Sequence, residues 1–258
     1  MKQGKRTQKV ALAIYTLLGC ILSLVTRGRG IAENASSGST LVFALCLILT
    51  IVGAVALVAS FLPSRGTPDT RKLTMAAMFA ALCYVGFAFL RIDIPVGTEK
   101  TAFHLGNVFC VLGALFLGGL WGGMAGAVGL TIADLTSGYV TSAPKTFLLK
   151  LGIGIVTGLV AHYLFHISRE RGERRGSIPF AVAVSAAMGM SFNVVADPLV
   201  GYFYKTYVLG VPQQAAQIWV KIGAITTLVN AVVAVVVATV LYLALRPALE
   251  KSRLMPRL

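Results

Sequence analysis

Apolar stretches long enough to cross a bilayer recur along the whole chain, and no other feature limits its fold so severely. A spanning helix needs about 20 mostly apolar residues. Val10–Val25, Leu41–Leu62 and Leu73–Leu90 come near or reach that length before a charge intervenes. Thr146–His166, Ile178–Tyr204 and Ile218–Leu245 follow, each bounded by polar or basic residues. Between these sets, Gly106–Ile132 reads either as one long tilted span or as a hairpin of two short ones broken around Gly118–Gly123. With 57% apolar and 12% charged residues, against roughly 45–50% apolar in soluble domains, an ordinary soluble enzyme is excluded.

Loop charge chooses between the two readings. With the hairpin, alternate loops on one side carry Lys2, Lys5, Arg6 and Lys9, then Arg65, Arg71 and Lys72, then Arg169, Arg171, Arg174 and Arg175, with Arg246, Lys251, Arg253 and Arg257 in the tail. The opposite loops hold only Arg27, Arg29, Arg91, Lys100, Lys145 and Lys205. Cytoplasmic loops concentrate Lys and Arg, so the pattern predicts eight spans with both termini cytoplasmic. A single long span would place the Arg169–Arg175 cluster outside, against that rule. The same reading assigns the excess of 23 basic over 9 acidic residues to membrane orientation and not to nucleic acid. The basic start and first apolar run mimic a secretory signal but offer no good cleavage site, so an uncleaved helix is expected. Pro63–Thr70 breaks the pattern. The expected organisation is a two-helix membrane extension (1–62), a cytoplasmic linker (63–72), a six-helix core (73–246) and a basic cytoplasmic tail (247–258), an all-α integral membrane protein.

Charged and amide side chains inside spans are costly and usually face a bundle interior or a water-filled cavity. At about 1.5 Å per residue, Asn107, Asp134, Lys150, Asn193, Asp197 and Lys221 all fall in the outer half. Asn193 and Asp197, four apart, share a helix face. This clustering points to a polar pocket open to the outside, roofed by the loop Arg91–Asn107, which mixes both charges with aromatic and imidazole groups. The competing reading is structural, with Lys150 and Lys221 neutralising Asp134 and Asp197.

Small residues recur at helical spacing in Ala76/Ala80, Ala77/Ala81, Gly118/Gly122/Gly126, Gly119/Gly123 and Gly154/Gly158, which permits close helix approach. On most helices this means internal packing, whereas the doubled alanine pattern also suits contact with another membrane protein. The sequence has no Gly-x-x-x-x-Gly-Lys-Ser/Thr loop for ATP, no His-Glu-x-x-His and no Gly-x-Ser-x-Gly. His162 and His166 have metal-like spacing but supply only two ligands. Cys20, Cys46, Cys83 and Cys110 lie in apolar runs without ligand spacing, as reduced thiols do. No metal, no cofactor and no catalytic residue are expected.

Five segments carry a resemblance: Leu73-Thr-Met-Ala-Ala-Met-Phe-Ala-Ala81, Phe103-His-Leu-Gly-Asn107, Leu117-Gly-Gly-Leu-Trp-Gly-Gly-Met-Ala-Gly-Ala-Val-Gly129, Ala133-Asp-Leu-Thr-Ser-Gly-Tyr139 and Ser142-Ala-Pro-Lys-Thr-Phe147. Together they resemble the substrate-binding S component of energy-coupling factor (ECF) vitamin transporters, riboflavin-type branch, over about Arg71–Arg246. The resemblance implies a six-helix bundle that captures a water-soluble vitamin or precursor outside a bacterial cytoplasmic membrane. It implies partners as well, a transmembrane coupling protein and two ATP-binding subunits that drive uptake. It carries ligand binding to His104, Asn107 and outer-half residues of the last three helices, and partner contact to Ala76, Ala77, Ala80 and Ala81. The two N-terminal helices depart from the six-helix pattern. The alternative is an ion-coupled secondary transporter of a small polar solute, with Asp134 or Asp197 carrying the proton.

Overall fold

A computed structural model describes residues 70–97, 99–168 and 177–252. The expected N-terminal helix pair, most of the linker, the Arg169–Arg175 cluster and the end of the tail lie outside the described residues. By contacts the chain divides into two units, one of residues 1–68 with Asp134–Pro144 and one of Asp69–Ala133 with Lys145–Leu258.

Among the described residues there are six α-helices and one hairpin. They are α1 (Thr70–Ala88), β1 (Arg91–Val96), β2 (Glu99–His104), α2 (Gly106–Leu117), α3 (Gly119–Thr136), α4 (Ala143–Gly158), α5 (Ile178–Phe203) and α6 (Gln213–Lys251). Helices α4 and α5 each end in a π-helical turn, Leu159–Leu164 and Tyr204–Val208. Four helices are long and apolar enough to cross a membrane, Thr70–Ala88, Ala143–Leu164, Ile178–Val208 and Gln213–Lys251.

The apolar run from Gly106 to Ile132 is two helices. Gly118 breaks it at φ 85°, a conformation open to glycine and strained for most other residues. Helix α2, about 18 Å long for its 12 residues, is shorter than the roughly 30 Å of bilayer hydrocarbon. It has no need to match that thickness, because every residue except Phe109 is buried and neighbouring helices replace lipid around it. In the larger unit α2 packs against α1 and α6, and α5 lies along α6. Phe79 of α1, Phe116 of α2 and Tyr242 of α6 stack in a ladder with centroid separations of 6.1 and 4.6 Å.

The small-residue patterns are where backbones meet. A Cβ on Gly122 would fall on the backbone of Gly113 and Ala114, and one on Gly158 would fall on the backbone of Gly119. These contacts let α3 close on α2 and α4 at separations no larger side chain allows. Large apolar side chains point outward instead, among them Leu73, Met78 and Val85 of α1, Val195 and Phe203 of α5, and Ile225, Val232 and Val240 of α6. An apolar outer surface with amide and charged groups inside is the pattern of a bundle solvated by lipid.

The connection from α1 to α2, read from sequence as a loop, is an antiparallel hairpin with Arg91 opposite His104 and Val96 opposite Glu99. Ile92, Ile94 and Val96 supply the alternation a strand needs. Gly97, at φ 64°, takes the first position of the two-residue turn, where a left-handed residue matches the strand twist.

In the smaller unit, the segment after α3 folds back on itself. The Tyr139 N–H donates to the Asp134 carbonyl at 2.9 Å, and the Ser142 N–H to the Tyr139 carbonyl at 2.8 Å. Gly138 sits at φ 78° inside this turn.

Candidate functional site

A group of polar side chains of the larger unit lies at the end of the bundle that carries the hairpin. Asp197, in the last two turns of α5, is the centre of a buried network. Its Oδ1 accepts from Lys145 Nζ at 2.5 Å and its Oδ2 from Thr227 Oγ1 at 2.7 Å, which joins α4, α5 and α6. Pro198 follows directly. Lacking an N–H, it leaves the helix hydrogen bond to Val194 unmade, so backbone polarity opens at the same level as the carboxylate.

Lys150 lies five residues deeper along α4 and is almost fully buried. The Cys110 thiol donates to its backbone carbonyl at 3.6 Å, which sets α2 beside α4 at this depth. One turn nearer the hairpin, the Asn107 side chain is 2% exposed, and its Oδ1 has no hydrogen-bond partner. On α5, Asn193 is equally buried with an unpartnered Oδ1, and on α3 the Thr131 hydroxyl is likewise unsatisfied. A buried polar atom left without a partner costs about 1–3 kcal/mol. Two amide oxygens and a hydroxyl are left this way, an unmet hydrogen-bonding capacity of the kind that a ligand or bound water can satisfy.

His104 ends β2 above this cluster. Its Nδ1 accepts from the Gly106 N–H at 3.2 Å, which fixes the ring proton on Nε2, and its ring lies 4.6 Å from that of Phe87. Burial, reinforced by the charge of Lys150, pushes the imidazole down to about 3. At neutral pH it is an uncharged donor through Nε2.

Five of the seven residues expected at the site, His104, Asn107, Lys150, Asn193 and Asp197, therefore belong to the same unit and to its hairpin end. Lys221 does not: it is exposed on α6. Asp134 is buried and falls in the smaller unit. Asp197 is paired with Lys145, where the structural reading of the sequence offered Lys150 or Lys221. Three residues were not anticipated, namely Lys145, Thr227 and Asn230. Lys145 was counted as a loop charge because it falls near the first turn of α4. Thr227 and Asn230 are among the few polar residues that interrupt an apolar run in α6, and that interruption is the signal that would have found them.

The four alanines of α1 divide between two faces. Ala77 and Ala81 are exposed, whereas Ala76 is buried and the Ala80 backbone lies against Gly129 of α3. At the other end of the bundle, His162 shares a hydrogen bond with Ser168 Oγ at 2.6 Å and donates through Nε2 to the Ala114 carbonyl at 3.2 Å. No group of three or more metal-ligating side chains occurs among the described residues.

Against known families, residues 68–247 match the model described as ECF-type riboflavin transporter, S component. The chain belongs to this family of S components. It is therefore a multi-pass membrane protein and a transport subunit, not an enzyme, of the kind that works with an ECF module. The match takes in the hairpin and the six helices among the described residues, the last of them as far as residue 247. Comparison with curated proteins and with solved structures returns no match.

Proposed function

We propose that this S component captures a water-soluble vitamin or vitamin precursor from outside a bacterial cytoplasmic membrane. A transmembrane coupling protein with two ATP-binding subunits then drives its uptake. The observation that supports this reading best is the polar cluster at the hairpin end of the bundle. The Lys145–Asp197–Thr227 network and the unpartnered, buried amide oxygens of Asn107 and Asn193 all belong to it. Those oxygens suit the N–H and O–H donors of a polar heterocycle or its side chain. His104 and Lys150 complete the ligand-facing set, and the family name makes riboflavin the first compound to test.

The partner-facing residues in this reading are Ala77 and Ala81. With Leu73 and Met78 they form a small-residue stripe set in apolar surface, which suits close approach of a second membrane helix.

Native mass spectrometry of the detergent-purified protein with riboflavin and a vitamin panel, followed by calorimetric titration of any hit, tests the proposal. The expected result is one bound molecule per chain without ATP. A protein that ignores the whole panel, and whose transport in vesicles collapses with the proton gradient while needing no ATP-binding subunit, would overturn it in favour of ion-coupled transport.

A further inference from the structure

An isolated two-stranded ribbon is marginally stable at best, so the β1–β2 hairpin depends on what holds it. Ala102 and His104 are two residues apart in β2, and their backbone groups point to the same side. The His104 N–H donates to Asn230 Oδ1 at 3.0 Å, and Asn230 Nδ2 donates to the Ala102 carbonyl at 2.9 Å. That side is therefore the strand edge facing away from β1. Pro95, opposite Lys100 in the same phase of the register, fits this assignment, since its missing N–H falls on the outer edge of β1. A primary amide carries the donor and acceptor of a peptide group. Asn230, buried on α6, thus completes the open edge of β2 as one residue of a third strand would.

The same turn of α6 carries Thr227, which holds Asp197. Hairpin base and ion-paired cluster are consequently fastened to one short piece of helix. The tip has a tie of another kind. Lys205, in the π-helical turn after α5, pairs with Glu99 Oε2 at 3.1 Å and lies 4.9 Å from the centre of the Trp219 ring. The base tie is neutral and two-pronged, made by the buried Asn230 amide. The tip tie is a single ionic contact between part-buried side chains, so neutralising either charge weakens it.

We infer that Asn230 is a positioning residue: its amide fixes the base of the hairpin over the polar cluster, and the hairpin opens from its tip by breaking the Glu99–Lys205 pair. The inference rests on the capture reading for what the opening admits, and on the two ties alone for where the hairpin hinges.

Hydrogen–deuterium exchange on the full chain in detergent tests it, comparing wild type with Asn230→Leu, Asn230→Asp and Glu99→Gln. Glu99→Gln is expected to accelerate exchange at the Gly97, Glu99 and Lys100 amides several-fold while leaving the His104 amide unchanged. Asn230→Leu is expected to accelerate the His104 amide on the order of ten-fold or more, the consequence of removing one buried hydrogen-bond partner, with the α6 amides unchanged. Asn230→Asp retains the acceptor for His104 and is expected to keep that amide slow, so it decides the question if the Leu variant fails to fold. A His104 amide that exchanges alike in wild type and Asn230→Leu, one released in Asn230→Asp, or a hairpin that responds as a single unit to Glu99→Gln overturns the inference. With riboflavin as the probe, Glu99→Gln is expected to raise association and dissociation rates together and leave Kd within a few-fold. Failure of wild type to bind riboflavin would count against that ligand, and the exchange rates would still decide the hinge.

Discussion

Removing one partner of the Lys145–Asp197 pair should do more harm than removing both. The two side chains are 16% and 19% exposed, so neither retains much water, and once Lys145 is gone the carboxylate keeps the Thr227 hydrogen bond but has lost its ion-pair partner. Breaking a fully buried pair from one side costs about 3–5 kcal/mol, while replacing the whole pair by apolar groups is often neutral or better. Scaled down for the residual exposure, Lys145→Met or Asp197→Leu alone should lose about 2–3 kcal/mol. In a chain of this size that is on the order of 5–10 °C in Tm. The Lys145→Met/Asp197→Leu double variant should recover much of that loss, because both charges of the pair leave together. Thermal unfolding of all four proteins in one detergent closes the cycle, and ligand titration on the same samples separates stability from function. The double variant should be more stable than either single variant and should bind ligand at least ten-fold more weakly than wild type. A double variant that loses the sum of the single effects would refute the coupling of the two charges. One that binds normally would refute their place in the ligand site.

Three further outcomes are expected. The folded protein holds His104 at about 3 while an unfolded chain titrates it near 6.5, so between these values the unfolded state binds more protons and stability falls as pH is lowered; a His104→Asn variant should lose that part of the slope in Tm measured from pH 7 to pH 4. Gly158→Val places a side chain on the Gly119 backbone and should cost about 3 kcal/mol or more, read as loss of a monodisperse peak in size-exclusion chromatography, whereas the exposed Ala81→Val should leave that peak intact. Ala77→Leu should impair co-purification with a coupling module while sparing ligand affinity, and lost affinity instead would place that face inside the ligand site.

Helix positions were largely legible in the sequence because each depends on a local property. Gly118 breaks a run that is otherwise uninterrupted, and the distribution of loop charge calls for that break independently. The hairpin was less legible. Ile92, Ile94 and Val96 alternate, but Arg91, Asp93, Pro95 and Gly97 between them read equally well as an irregular loop, and what makes β2 a strand is partly an amide on a helix far along the chain. The alanines show the limit of a periodic signal. Spacing of four made two equivalent pairs, and only the position of α3 decided that Ala80 packs inward and Ala77 and Ala81 do not.

What the sequence determined by itself is therefore the solvent of the fold and the six helices of the described core. Apolar length, small-residue spacing and loop charge are sums over neighbours in the chain, and they need no knowledge of which helix meets which. The tertiary structure alone decided which polar groups find one another. Lys145 reaches Asp197 across 52 residues and Asn230 reaches His104 across 126. In a lipid-solvated bundle, where apolar side chains gain little by choosing one apolar neighbour over another, such pairings come from packing geometry and leave no periodic trace in the sequence.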